Sequence, residues 1–176
     1  MDNKCIFKRI RRKNLLRNNW FCIYQDAITI NGKLLPAYNI IHYHQDSVIV
    51  IVIKEDRILF VNALRYTTGG LSLELPAGAM ENDEKIIDSA KREVYEESGL
   101  TIQNEQMIYE FYPSNGSSDQ KIYVIQSDYH SGVIKCQEGE TVSAIWLSFE
   151  QIKQAIKSRT ITDGPTLTAL FVCLNT

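Results

Sequence analysis

Residues 78–100 read GAMENDEKIIDSAKREVYEESGL, and this stretch decides how the whole chain is interpreted. Between residues 84 and 98 it contains neither glycine nor proline, and most of its residues are good helix formers. We therefore predict a helix here, capped at its start by Asn82 or Asp83. Gly99 is expected to end it, because glycine readily takes the left-handed conformation that terminates helices.

An apolar stripe at helical spacing runs along the predicted helix and consists of Ile86, Ile87, Ala90 and Val94. Such a stripe indicates that one side of the helix faces a core. Arg92 follows Glu84 by eight residues, or about two helical turns. We expect these two side chains to pair and to brace the helix against the loop before it.

The polar side of the predicted helix carries Glu93, Glu96 and Glu97, which share a patch about one turn long. Three carboxylates so close repel one another unless a cation is present, and a hard divalent ion such as Mg²⁺ or Mn²⁺ suits their oxygen ligands. A solvated acidic face is the alternative. That alternative does not require the other fixed residues of the stretch, which are Gly78, Glu84, Arg92 and Gly99.

The complete pattern, G-x5-E-x7-R-E-apolar-x-E-E-x-G-apolar, resembles without a mismatch the signature box of the Nudix hydrolases. The resemblance implies a metal-dependent pyrophosphatase that acts on nucleoside diphosphates linked to another group. It implies catalytic roles for Arg92, Glu93, Glu96 and Glu97. The three glutamates are also the implied metal ligands, with Glu93 and Glu97 the firmest, and the backbone carbonyl of Ala77 is a further implied ligand.

Three segments outside the box are similar to the ADP-ribose pyrophosphatase branch of this family. Residues 61–66 (VNALRY) precede 73–78 (LELPAG), and Pro113, which is 13 residues past Leu100, begins a loop that resembles the P-S-P-G-x-S-D-E loop of the branch. The implied substrate-binding residues are Arg65, Glu74, Pro113 and Gly116. Ala63 and Gln120 depart from the usual Gln and Glu of the branch. ADP-ribose, cleaved to AMP and ribose 5-phosphate, is therefore the expected substrate, and GDP-mannose or another nucleoside diphosphate sugar is the alternative.

A general base is expected from a flexible loop after the box, where the branch places a carboxylate. Glu138 and Glu140 both fit, and their spacing does not choose between them; the alternative is that both are exposed loop charges. Arg65 is a candidate phosphate clamp, with a surface salt bridge as its alternative. A sensor that holds a nucleotide sugar without cutting it is a further alternative, although such proteins usually have broken box glutamates, which this chain does not.

Composition indicates an ordinary globular enzyme. The chain has 176 residues, is 44% hydrophobic and carries a formal net charge of −2, which gives no general attraction to nucleic acid or membrane. Its four cysteines lack C-x-x-C spacing, so we expect reduced thiols and a cytoplasmic location. No apolar run reaches the length of about 18 residues that a membrane span needs.

The distribution of strand and helix signals predicts an α+β chain. Strand-like segments dominate the first half, including a continuous apolar run at 47–53, and helix signals recur at 149–157 and 165–174. Residues 1–45 are expected to hold a basic arm and antiparallel strands, and 46–176 the Nudix domain. The resemblance implies an α/β/α sandwich with a mixed central sheet, and a homodimer in which the strands of 1–45 serve as a possible dimerisation segment.

Overall fold

The computed structural model describes residues 6–136 and 139–175. The chain divides into two compact units. Of the described residues, 6–45 together with 112–120 form the first unit, and 46–111 together with 121–136 and 139–175 form the second. A mixed α+β fold is thus confirmed, with an antiparallel N-terminal sheet in one unit and a mixed sheet between helices in the other.

The first unit contains an antiparallel sheet in the order β1 (Phe7–Arg17), β2 (Phe21–Ile30) and β3 (Lys33–Tyr43). The dipeptide Asn31-Gly32 predicts a tight hairpin turn, and this prediction is confirmed because both residues have the positive φ angles that such turns require. Residues 7–17, expected only as part of a basic arm, form the strand β1 and pair with β2 along their length. Every side chain of β1 is nevertheless exposed, which explains why the segment lacks the alternating pattern of a half-buried strand.

The second unit is built on a mixed sheet in the order β10-β5-β4-β9-β8, with β6 paired to β5 and β7 paired to β4. The contact between β4 and β9 is parallel, and the other strand pairs are antiparallel. The strands are β4 (Ser47–Lys54), β5 (Arg57–Arg65), β6 (Gly70–Glu74), β7 (Ala77–Ala79), β8 (Leu100–Phe111), β9 (Ile122–Gly132) and β10 (Thr141–Ser148).

Helices cover both faces of this sheet: α1 (Ile86–Ser98) packs on one, and α2 (Phe149–Lys157) and α3 (Gly164–Asn175) pack on the other. The strand β4 lies between the two cores. Its Val50 and Val52 pack with α1, whereas Ile49 and Ile51 pack with α2 and α3, and all four are fully buried. A continuous apolar run is what a strand covered on both faces requires.

The start of α1 differs from its prediction. The helix begins at Ile86 with Lys85 as its N-cap residue, and no side chain caps it, so the expected cap at Asn82 or Asp83 is wrong. Asp83 instead has a positive φ of 62°, outside the geometry of an N-cap. The other end is confirmed, because Gly99 takes the left-handed conformation and donates its N–H to the carbonyl of Tyr95.

Most remaining boundaries agree with the sequence to within a few residues, and α2 spans the predicted 149–157. Within the described residues the cysteines are free thiols. None of the helices in the described part of the chain is long and apolar enough to cross a membrane.

Candidate active site

Arg92 lies at the centre of an ion-pair network on α1. Its guanidinium donates to both carboxylate oxygens of Glu84 at 2.9 Å, to Glu93 at 2.6 Å and to Glu96 at 3.2 Å. It also donates to the backbone carbonyl of Ala79 at 3.0 Å, so it links α1 to the end of β7. The predicted pairing of Arg92 with Glu84 is therefore confirmed.

Glu84 is held as an anion by this contact. Its hydrogen bonds with Arg92, together with one from the backbone N–H of Glu81, lower the pKa of Glu84 to about 2. The two-point contact fixes the carboxylate more firmly than a single bond would. Glu84 therefore links the loop before α1 to the helix.

Glu93 is buried, with 8% of its surface exposed, and burial raises the pKa of its carboxyl group although the contact with Arg92 opposes the shift. Its carboxylate lies against Gly78 of β7. A Cβ atom placed on Gly78 would overlap that carboxylate. A residue without a side chain is therefore needed at position 78 for Glu93 to reach the loop.

Glu97 faces the start of β7 from one turn further along α1. One of its oxygens accepts the backbone N–H of Ala77 at 3.0 Å, and the other accepts the hydroxyl of Thr141 at 3.2 Å. Burial raises the pKa of Glu97 to about 7, and the charge of Glu93 contributes to the rise. The site thus holds two neighbouring carboxylates in surroundings that disfavour their charged forms.

These carboxylates fit a divalent metal ion in their chemistry. They offer the oxygen ligands that Mg²⁺ and Mn²⁺ prefer, and a cation would relieve the cost of burying Glu93 and Glu97 as anions. Among the described residues, however, no three His, Cys, Asp or Glu side chains converge in an arrangement ready to hold a metal. Glu93 and Glu96 are turned towards Arg92, and Glu97 towards Ala77 and Thr141.

A second ion-pair cluster joins Arg65, Glu74 and Glu140. Arg65 donates from Nε and Nη2 to both oxygens of Glu74, at 3.0 and 2.7 Å, and from Nη1 to Glu140 at 2.7 Å. Glu74 is 6% exposed, so its side of the contact is shielded from water. Glu140 is largely exposed, which makes its contact the weaker of the two.

Two cavities open beside this cluster, and both are lined by Arg65, Glu74 and Asp163. The smaller, of about 250 Å³, also contacts residues 77–79 at the entrance to α1. The larger, of about 410 Å³, extends between residues 67–72 and the start of α3. Arg65 therefore lines both cavities while it is paired with Glu74 and Glu140.

The remaining predicted site residues are Pro113, Gly116 and Glu138. Pro113 and Gly116 belong to the first unit, where the carbonyl of Gly116 accepts the hydroxyl of Tyr38 at 2.8 Å. Glu138 lies outside the described residues. The backbone carbonyl of Glu140 accepts the N–H of Leu64, so the end of that loop is attached to β5.

Sequence reasoning missed two residues of the candidate site, Thr141 beside Glu97 and Asp163 in the cleft. Thr141 contacts Glu97, and only its position next to Glu140 could have indicated this. Asp163 caps α3, because its carboxylate accepts the N–H of Thr166 at 2.8 Å. A capping residue before a predicted helix gave no indication that it would also line a cavity.

Comparison with known proteins agrees with this geometry. Residues 43–169 match the model of the NUDIX domain. A GDP-mannose pyrophosphatase of Yersinia enterocolitica is 26% identical over 178 residues, covering 90% of this chain and 91% of its own. An ADP-ribose pyrophosphatase of Bacillus subtilis is 24% identical over 166 residues, covering 93% and 90%. A solved structure described as an ADP compounds hydrolase has the same fold, with a TM-score of 0.83, 14% identity and coverage of 95% and 91%.

The family match and these relatives assign the chain to the class of hydrolases that act on phosphoric anhydrides. The chain belongs to the Nudix family. The resemblance drawn from residues 78–100 is thereby confirmed, and the protein is a Nudix pyrophosphatase.

Proposed function

We propose that this protein hydrolyses the pyrophosphate bond of a nucleoside diphosphate sugar in a reaction that depends on Mg²⁺ or Mn²⁺. ADP-ribose, cleaved to AMP and ribose 5-phosphate, is the first candidate, and GDP-mannose is the second. The observation that carries the proposal is that the buried Glu93 and the half-buried Glu97 lie side by side at residues 77–79. Carboxylates kept buried at this electrostatic cost suit a site that receives a cation.

The proposed metal-binding groups are Glu93, Glu96 and Glu97, with the backbone carbonyl of Ala77. When bound, a divalent ion would neutralise the charge of the pyrophosphate and acidify or orient the attacking water. The protein itself supplies the arrangement of the carboxylates. Arg92 donates to Glu93, to Glu96 and to the backbone carbonyl of Ala79 at the end of β7. Thr141 donates its hydroxyl to one carboxylate oxygen of Glu97.

Arg65 is the proposed phosphate-binding cation, and Glu74 is its positioning partner. The buried Glu74 accepts hydrogen bonds from two of the guanidinium nitrogens, and this two-point contact fixes the plane of the guanidinium group. The third nitrogen contacts Glu140, whose exposed carboxylate can be exchanged for an anionic substrate at little cost. In this proposal Arg65 contacts phosphate while remaining paired with Glu74.

The proposed general base is a carboxylate of the loop before β10, either Glu138 or Glu140. Release of Glu140 from Arg65 would free a carboxylate to accept a proton from water. Single Glu138→Gln and Glu140→Gln variants separate the two: one should lose several orders of magnitude in turnover while its substrate affinity changes little. If both retain full turnover, the base does not come from this loop.

The choice between ADP-ribose and GDP-mannose rests on sequence context and on the names of two relatives, one of each activity. The LELPAG segment and the loop from Pro113 to Gln120, with Gly116 as a contact, favour a sugar-linked diphosphate. Ala63 and Gln120 keep GDP-mannose open. Purified protein should be incubated with a panel of nucleoside diphosphate sugars, and the products should be identified by mass spectrometry.

The decisive experiment assays the wild type with Mg²⁺ and again after chelation, and assays the Glu97→Gln variant with Mg²⁺. Loss of product formation on chelation and on substitution, while the variant remains folded, supports the proposal. Turnover that survives the substitution would remove the metal assignment. Tight binding of a nucleotide sugar by the wild type, without any cleavage in Mg²⁺ or Mn²⁺, would instead identify a sensor.

We also propose that the protein is a homodimer and that the strands within residues 1–45 contribute to its interface. All side chains of β1 are exposed, including the apolar Phe7 and Ile10. Light scattering should give about twice the chain mass of 20.2 kDa. A monomeric mass at micromolar concentration would contradict this part of the proposal.

A further inference from the structure

The larger cavity beside Arg65 has a distinctive lining. It measures about 410 Å³, within the range of small-molecule sites. Four side chains with hydroxyl groups contribute to its wall: Thr67, Thr68, Ser72 and Thr162. Hydroxyl groups both donate and accept hydrogen bonds, so this wall suits a ligand that is itself rich in hydroxyls.

The charges of the cavity select against a second anion. Among the described residues that line it, Arg65 is the one cation, and Glu74 and Asp163 are carboxylates. Two nitrogens of Arg65 are already bound to Glu74, which cancels most of the positive charge on that side. The third nitrogen of Arg65 is the one proposed to contact the reacting diphosphate, so a further phosphate placed here would face Asp163 with no cation left for it, whereas an uncharged sugar would not be repelled.

Asp163 is held in a fixed orientation. One carboxylate oxygen accepts the N–H of Thr166 at 2.8 Å, and its backbone carbonyl accepts the N–H of Leu167 at 3.0 Å. These bonds anchor it as the N-terminal cap of α3. A carboxylate anchored through one oxygen presents the other at low entropic cost, and carboxylates accept strong hydrogen bonds from hydroxyl groups.

The cavity is also placed for a group attached to the reacting phosphate. It shares Arg65, Glu74 and Asp163 with the smaller cavity, which contacts residues 77–79 at the proposed reaction centre. A diphosphate bound at the smaller cavity would therefore extend one end into the larger one. The Arg65–Glu74 pair marks the boundary between the two.

We propose that the larger cavity is the subsite for the sugar of the substrate and that Asp163 and Thr162 recognise its hydroxyl groups. This inference rests on the proposed function and adds a specificity: an uncharged, polyhydroxylated end group is accepted, and an end group carrying a further phosphate is rejected. Dinucleoside polyphosphates are accordingly poor substrates.

The test compares substrates with and without the sugar. Whichever of ADP-ribose and GDP-mannose the wild type cleaves better is assayed beside the methyl ester of the same nucleoside diphosphate. Asp163→Ser keeps a capping side chain at the start of α3 but removes the second oxygen. Thr162→Val removes one exposed hydroxyl at nearly constant shape. Asp56→Ser, in the exposed turn between β4 and β5, is the matched control.

We expect Asp163→Ser to lower kcat/KM for the sugar substrate about tenfold or more, the usual scale for a lost hydrogen bond to a charged group. Thr162→Val should lower it less, and the methyl ester should be cleaved at wild-type efficiency by both variants. Equal losses on both compounds, or no loss on either, would overturn the subsite while leaving the pyrophosphatase activity intact. If the wild type cleaves neither ADP-ribose nor GDP-mannose, the proposed function itself is wrong.

Discussion

The buried carboxylate of Glu97 should make the metal-free protein less stable as the pH rises. Its pKa is raised from the ordinary value of 4.5 to about 7, chiefly by burial. The folded state therefore binds a proton in a pH range where the unfolded chain has lost it. Stability from the protonated group is fully present below pH 4.5 and is lost as the pH rises through about 7.

The size of the effect follows from the shift. At about 1.4 kcal/mol for each tenfold change in proton affinity, moving the pKa from 4.5 to about 7 corresponds to about 3 kcal/mol. Glu97→Gln removes the charge but keeps a side chain of the same shape. Its amide oxygen can accept the Ala77 N–H, and its NH₂ group can donate to the hydroxyl oxygen of Thr141.

Urea unfolding of both proteins in a chelator, from pH 4.5 to pH 8.5, measures this difference. The free energies of unfolding should be similar at pH 4.5, and the variant should be more stable by about 3 kcal/mol at pH 8.5. Mg²⁺ should stabilise the wild type and leave the variant unchanged, since ligand binding to the folded state alone adds stability. A variant that is less stable than the wild type at pH 8.5 would refute the reasoning.

Three other substitutions test the remaining parts of the site. Arg65→Ala should lower the free energy of unfolding by about 3 kcal/mol, because buried Glu74 loses its partner, and should also raise KM. Urea unfolding curves measure the first effect and steady-state kinetics the second. An unchanged KM would mean that Arg65 is purely structural. Gly78→Ala places a Cβ against the carboxylate of Glu93 and should lower kcat/KM by about 100-fold; wild-type kinetics would mean that Glu93 is not needed at this loop. Glu140→Gln should reduce kcat by about 10²-fold or more with little change in KM if this residue is the base, and unchanged turnover excludes it.

Much of the fold could be predicted because its elements have strong local signals. The apolar run of β4, the turn at Asn31-Gly32 and the glycine that ends α1 each follow from a short-range rule, and each is confirmed. β1 was missed because a strand with all of its side chains exposed needs no alternation. Its pairing with β2 is set by backbone hydrogen bonds that the sequence does not record.

The candidate site, like the fold, has contacts that the sequence predicts and contacts that it does not. The contact of Arg92 with Glu84 was predicted from their separation of eight residues, although Glu84 lies in the loop before α1 and not on the helix. The pairing of Arg65 with Glu74 and Glu140 joins three separate strands or strand ends, and no spacing rule connects them. Asp163 reaches the cleft through the packing of α3 on the sheet, which depends on contacts distant in sequence.

The parallel contact of β4 with β9 has a consequence for folding. Ser47 pairs with Ile122, and Asp46 accepts hydrogen bonds from the Lys121 N–H and the Tyr123 hydroxyl, so the chain must close a long loop to form this contact. The strand β7, which leads into α1, also pairs with β4. Nonlocal closures of this kind form slowly. A nascent or partly folded chain therefore lacks the assembled site, and we expect hydrolytic competence to emerge late, together with the completed sheet.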